Sequence, residues 1–364
     1  MQISRAEILP ARNRYELLDG LRGIAALAVM FYHLNRRAGA PSLMPHGWLA
    51  VDFFFMLSGF VLAHSYSERL RGMTLGAFFG LRARRLLPLS MLGVMLGLAY
   101  FLLRWKTQAP AADDVSHVML ATGLNLLLIP NLHPGGVTGD WLFPGNNVLW
   151  SLALEFLVNL VWAVIVIRAG KVVLCALSLA AALLLVLLAH QQASVNLGFT
   201  WDTLPGGAAR TMFGFFLGVL VWHLRPQPVH SRTVPWVAAC GLLAIFCLPD
   251  THWQVDLLMV LFGLPAILWL SIGVDYRPER PGMRLLGEIS YPLYVIHMPI
   301  LMLLAGWLKH RRPDLHGSAW IDAAALPIML LAWLAGRYYD EPVRRLLQRA
   351  RGPRAAMARV SGAR

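Results

Sequence analysis

Long apolar runs alternate with short polar or arginine-bearing segments along the whole chain, at residues 17–36, 48–66, 86–103, 147–167, 172–189, 207–224, 233–249, 255–273, 285–306 and 319–336. A bilayer core takes about 20 helical residues to cross. The pattern therefore predicts about ten transmembrane helices and an all-α, polytopic membrane fold. One further apolar stretch, 117–130, is short for a crossing and predicts a re-entrant or interfacial segment. No solenoid-period or inverted repeat divides the chain. The expected organisation is an N-terminal tail (1–16), a membrane domain (17–337) and a basic C-terminal tail (338–364).

Composition agrees with the pattern. Of 364 residues, 57% are hydrophobic and 14% charged, whereas a soluble domain runs at about 45–50% and about 25%. Soluble, disordered and coiled-coil classes are excluded. The net charge of +13 suggests no nucleic-acid partner, because the basic residues sit between the apolar runs as they do in cytoplasmic loops.

Parity fixes the expected sidedness. If 117–130 does not cross, 24 of the 32 Lys and Arg fall on one side, including Arg82, Arg84, Arg85 and the tail after Tyr339. If it crosses, the excess disappears. The positive-inside rule then expects both termini in the cytoplasm, residues 104–146 in an outer loop and the basic tail against lipid headgroups. Arg22 at the start of the first run, with no small-residue cleavage site after it, argues against a cleaved signal. Cys175, Cys240 and Cys247 lie inside apolar runs without metal-ligand spacing and are expected to pack.

Candidate chemistry lies where ionisable groups enter the spans, since such groups are costly there. Arg22 and His33 are eleven residues apart, which at about 100° per residue puts them on one helix face, about 16 Å apart along the axis. Asp19 can pair with Arg22. By depth alone Asp52, Glu155 and His297 share the outer half of the membrane with His33, two imidazoles and two carboxylates suited to acid–base work or a proton relay. Asn147, Ser151, Glu155 and Asn159 form a polar stripe on one helix. Ser290 and Tyr291 fall in the inner half of theirs. Arg82 and Arg85, with Arg22, form an inner cluster whose guanidinium forks suit phosphate. An extended pantetheine arm has about the length to join that cluster to His33. Buried His, Asp and Glu equally suit a proton-coupled transporter or flippase of a saccharide or lipid-linked substrate, although such a carrier should show repeat symmetry.

Several motifs together resemble the acyltransferase-3 membrane family. They are the run from Leu18-Asp-Gly-Leu-Arg22 to His33, Val51-Asp-Phe-Phe-Phe-Met-Leu-Ser-Gly-Phe, Arg82-x-x-Arg85, Trp150-Ser-Leu-Ala-Leu-Glu155, Ile289-Ser-Tyr-Pro-Leu-Tyr-Val-Ile-His297 and the closing Tyr-Tyr-Asp-Glu341-Pro-Val-Arg. They run in order over nearly the whole chain. The resemblance implies a ten-helix O-acyltransferase of a bacterial cytoplasmic (inner) membrane. It would take an acyl group, acetyl by default, from acyl-coenzyme A at the cytoplasmic side to a hydroxyl of a saccharide or related acceptor. No metal cofactor is expected. Arg22, Arg82 and Arg85 would hold the coenzyme A phosphates. His33, oriented by Asp52 or Glu155, would act as general base or as the site of an acyl-His intermediate. Tyr291 and Ser290 are candidate oxyanion donors, and His297 a supporting or packing residue. Some members of the family carry a further periplasmic catalytic domain; here a second transfer step would fall to a glycan-assembly partner.

Overall fold

The computed structural model describes residues 15–39, 42–107, 112–165, 170–227, 229–249, 252–274, 281–311 and 318–349. Most of both expected tails, and Arg168, Arg277 and Arg280, lie outside them. The described chain is all-helical: α1 (Glu16–Ala38), α2 (Ala50–Tyr66), α3 (Leu75–Thr107), α4 (Ala112–Asn125), α5 (Leu149–Ile165), α6 (Lys171–Gln192), α7 (Leu204–Leu224), α8 (Val234–Phe246), α9 (Trp253–Leu258), α10 (Leu264–Ile272), α11 (Pro281–Arg311), α12 (Ser318–Leu334) and α13 (Glu341–Arg349). A π-turn at Met259–Gly263 joins α9 and α10 into one stretch. Seven stretches are long and apolar enough to cross a membrane; α5 and α8 are apolar but shorter, and α12 has 17 residues. Every predicted run falls on a helix, and seven of the ten reach spanning length among the described residues.

The helices form a centre and a rim. The apolar windows of α1, α2 and α7 are 67%, 78% and 72% buried, against 28% for α6. Within a bilayer no hydrophobic force drives helices together, so close packing needs small residues. A Cβ at Gly59 on α2 would lie 2.0 Å from the Phe215 carbonyl oxygen of α7, and one at Gly218 would lie 2.1 Å from that of Met56. The α1–α11 pair meets the same way at Gly23, whose Cβ would fall 2.5 Å from Leu286. These two pairs make up the centre, and the chemistry sits between them.

Helix α4 is 14 residues long, about 21 Å at 1.5 Å per residue, which is too short to span. Both of its ends bond to one loop. Asp114 Oδ1 accepts from the Val137 N–H (2.8 Å), and Asn125 Nδ2 donates to the carbonyls of Ile129 (2.9 Å) and Leu142 (3.3 Å). Leu128, at φ +57°, turns the chain away from the helix. The segment is therefore a short helix laid along its own loop, and it runs over Ala112–Asn125 rather than 117–130. That loop is bound to the segment before α7, where Leu142 N–H donates to Phe199 O (3.1 Å) and Trp201 Nε1 donates to Asn131 O (2.9 Å).

Prolines inside α3 and α11 leave helical carbonyls without their i+4 donors. Pro299 frees the carbonyl of Val295, and the buried Asn146 side chain donates to it at 3.0 Å. The three cysteines depart from expectation. All are free and exposed, Cys175 on α6, Cys240 on α8 and Cys247 just after it.

Candidate functional site

Two cavities lie between the central helix pairs. The larger, about 570 Å³, opens among Arg22, Ser58, Arg82, Arg85, Glu155, Tyr291 and Arg344. The smaller, about 290 Å³, is lined by His33, Trp48, Trp141, Asn147, Trp150, Asn196, Phe199 and Arg210. Among the described residues, Val51 and Tyr294 are common to both linings.

In the larger cavity the arginines are held from three helices. Arg22 on α1 donates through Nε to Ser290 Oγ (2.8 Å) and through Nη2 to Gly287 O (3.1 Å), and pairs with Asp19 (3.0 Å), as the i, i+3 spacing predicted. Arg82 on α3, 4% exposed, donates to Glu155 Oε1 (3.1 Å), which also accepts from Ser58 (2.6 Å). Arg85 is exposed at the cavity and forms no ion pair with a described residue. Arg344, on α13, pairs with Asp340 at 3.2 Å. Burial pushes the Asp340 carboxyl above its ordinary range, against the pull of Arg344 and Arg85. Arg22, Arg82 and Arg85, from two sequence motifs, thus share one cavity.

Glu155 departs from expectation. Depth along its helix suggested a place level with His33, but its carboxylate closes the arginine cavity instead. Tyr291 belongs to that cavity too, where its hydroxyl donates to the Leu86 carbonyl (2.6 Å), an oxygen that Ser90 Oγ also reaches (2.9 Å). Ser290 Oγ is taken up by Arg22 and by Gly287 O (2.7 Å). Neither hydroxyl lines the cavity of His33.

In the smaller cavity His33 stands beside His297, ring centroids 5.4 Å apart and tilted by 31°. His297 is fully buried, and its Nδ1 lies 2.9 Å from the Leu293 carbonyl. A carbonyl only accepts, so Nδ1 carries the proton and Nε2 offers a lone pair. That Nε2 has no hydrogen-bond partner among the described residues.

Asp52 is fully committed to Arg210. The pair is bidentate, Nε–Oδ1 2.9 Å and Nη2–Oδ2 2.6 Å, with both side chains at most 1% exposed. Arg210 Nη1 donates to Leu197 O (2.7 Å), and its guanidinium lies 5.3 and 5.4 Å from the rings of Trp48 and Trp150. The expectation that Asp52 or Glu155 orients His33 is therefore not met by either hydrogen-bond pattern. The residue facing the imidazole is another histidine.

Arg210 and Tyr294 are the site residues that sequence reasoning missed. Arg210 lies inside the apolar run 207–224, a place that already marks it as intramembrane. Tyr294 lay unremarked between Tyr291 and His297. His46 is 4% exposed with Nδ1 2.6 Å from Asp256 and Nε2 3.0 Å from Pro249 O, and it fastens the loop before α2 to α9 and the connection before it.

Comparison with known proteins converges on one family. The family model described as an acyltransferase domain matches residues 15–354. "Protein 2 in picA locus" of Rhizobium radiobacter is 37% identical over 160 residues, 42% of this chain and 82% of that protein. A putative membrane-bound transacylase, BcsY of Komagataeibacter xylinus, is 27% identical over 89% of this chain and 81% of its own length. The peptidoglycan O-acetyltransferase OatA of Listeria monocytogenes is 24% identical over 92% of this chain, which spans 56% of that protein. No solved structure matches. With an all-helical body carrying seven membrane-length helices and a family match over nearly its whole length, the chain belongs to the acyltransferase-3 family.

Proposed function

We propose that this protein is an integral membrane O-acyltransferase of a bacterial cytoplasmic membrane. It moves an acyl group, acetyl in the simplest case, from acyl-coenzyme A on the cytoplasmic side to a hydroxyl of a saccharide or related acceptor. One observation carries the reading: an arginine-lined cavity and a histidine-lined cavity meet at a shared wall, with Arg22 and His33 on one helix. The names of the relatives as transacylase and O-acetyltransferase support the chemistry.

Arg85, with Arg22 and Arg82, binds the donor phosphates, because guanidinium forks match phosphate oxygens and stay charged. The pantetheine arm runs past the shared wall and brings the thioester to His33. His33 removes the proton from the acceptor hydroxyl as its oxygen bonds to the thioester carbonyl carbon. The tetrahedral intermediate collapses, the C–S bond breaks, and the thiolate takes the proton back from His33. The products are the ester and free coenzyme A thiol. His297, fixed by its Nδ1 bond to Leu293, stands beside His33 with Nε2 unpaired among the described residues. The Arg210–Asp52 pair gives the cavity a rigid aromatic wall of Trp48 and Trp150, faces suited to a sugar ring.

The test is acetyl-coenzyme A binding and turnover by protein purified in detergent. Wild type releases thiol in the presence of acceptor. His33→Ala binds the donor and does not turn over, and Arg85→Ala binds it weakly. If none of the three binds coenzyme A, the donor assignment falls and a carrier of saccharide becomes the reading to pursue.

A further inference from the structure

The wall between the cavities is the least explained part of the site. Of its two residues Tyr294 is the larger, and it is buried at 4% exposure. It is clamped from three directions. Its hydroxyl lies 2.6 Å from Ser151 Oγ and donates to Val148 O at 3.1 Å, and its ring meets Phe54 edge to face at 5.3 Å. Ser151 lines the arginine cavity and Val148 the histidine cavity, and Ser151 Oγ also lies 3.0 Å from Val148 O, so the two anchors together hold the hydroxyl end of the ring where the cavities meet. On the same helix, the ring is 6.1 Å from that of His297.

A thioester held at the arginines and bound for His33 meets this ring at the wall the two cavities share, and an open gap there would join the cavities. We propose that Tyr294 is the seal between donor and acceptor cavities. Held by Ser151 and Val148, it blocks water and small solutes at rest and yields to the acyl arm, so that the thioester is spent on the acceptor rather than on water. It is a positioning residue rather than a catalytic one, since its hydroxyl is already bonded away from the reacting atoms. The identity of the passing group rests on the acyltransferase reading; the seal itself does not.

The test can therefore be run without substrate. In protein whose three native cysteines are replaced by serine, Ser65 in the arginine cavity becomes cysteine, and a charged, membrane-impermeant thiol reagent is supplied from the His33 side of reconstituted vesicles. With Tyr294 present the cysteine stays unlabelled. Tyr294→Ala raises the labelling rate by about tenfold or more, as an open gap replaces close packing. Tyr294→Phe keeps the ring and stays closed. Should Tyr294→Ala fold poorly, Val51→Ala opens the same wall from α2. Labelling that is equally slow in the folded Tyr294→Ala and Val51→Ala variants overturns the proposal, as does equal labelling with Tyr294 in place. A parallel assay of thiol release in the presence of acceptor then separates the two ideas. A leaky wall with no coenzyme A turnover in wild type sinks the acyltransferase reading and leaves the seal standing. A tight wall in every variant sinks the seal and leaves the enzyme.

Discussion

The two cavities hold their charges in opposite ways. In the histidine cavity Arg210 and Asp52 satisfy each other in a bidentate pair at most 1% exposed, and Leu197 and two tryptophans take up much of what remains. In the arginine cavity Arg82 and Arg22 are anchored by Glu155, Ser290 and Asp19, while Arg85 and Arg344 face an open mouth. A closed pair builds structure, and a cation left facing a cavity is available to a ligand. The two tasks proposed above, holding a donor and moving a proton, would thereby be separated in space along α1.

The comparison can be broken most severely at the closed pair. Asp52→Ala leaves a buried guanidinium without its counter-charge, and the expected loss is about 3–5 kcal/mol of stability. Thermal unfolding in detergent should show it, and Arg210→Lys should rescue little because an ammonium cannot reproduce the fork. In the open cavity the loss should appear in binding instead. Glu155→Ala strips the acceptor from Arg82 and Ser58, worth about 1.5–3 kcal/mol for charged hydrogen bonds. Titration with coenzyme A should weaken accordingly, with a smaller shift in unfolding.

Asn146→Ala sharpens the contrast from the loop. It orphans the buried Val295 carbonyl at a cost of about 1–3 kcal/mol and loosens the segment carrying His297. Turnover should fall while donor affinity is kept, a split visible in kcat against KM. The smallest effect belongs to Arg344→Ala at the mouth, about 0–1 kcal/mol for a part-exposed pair. It should show as a salt-sensitive change in donor affinity.

How much of this was legible in sequence follows the range of the interaction. Asp19 and Arg22 pair across three residues, and spacing alone placed them. The ten apolar runs and the short 117–130 segment were legible because bilayer thickness sets helix length. The partners of Asp52 and Glu155 lie 158 and 73 residues away, and no local rule chooses between them. Depth along a helix placed Glu155 beside His33, but the arginine cavity reaches up to α5 and takes it. Arg210 lies inside the apolar run 207–224, where a cation needs a counter-ion, but only the fold shows that the counter-ion is Asp52.

Pro299 and Asn146 form a compensated pair with a consequence for how such chains change over time. Proline deprives the Val295 carbonyl of its helical donor, and the asparagine amide supplies one from a distant loop. Each residue alone is a liability in hydrocarbon, since one strands an acceptor and the other a donor. Across the family the two positions should covary: chains with a non-proline at the site of Pro299 have no call for an amide at 146, and chains that keep the proline keep the amide.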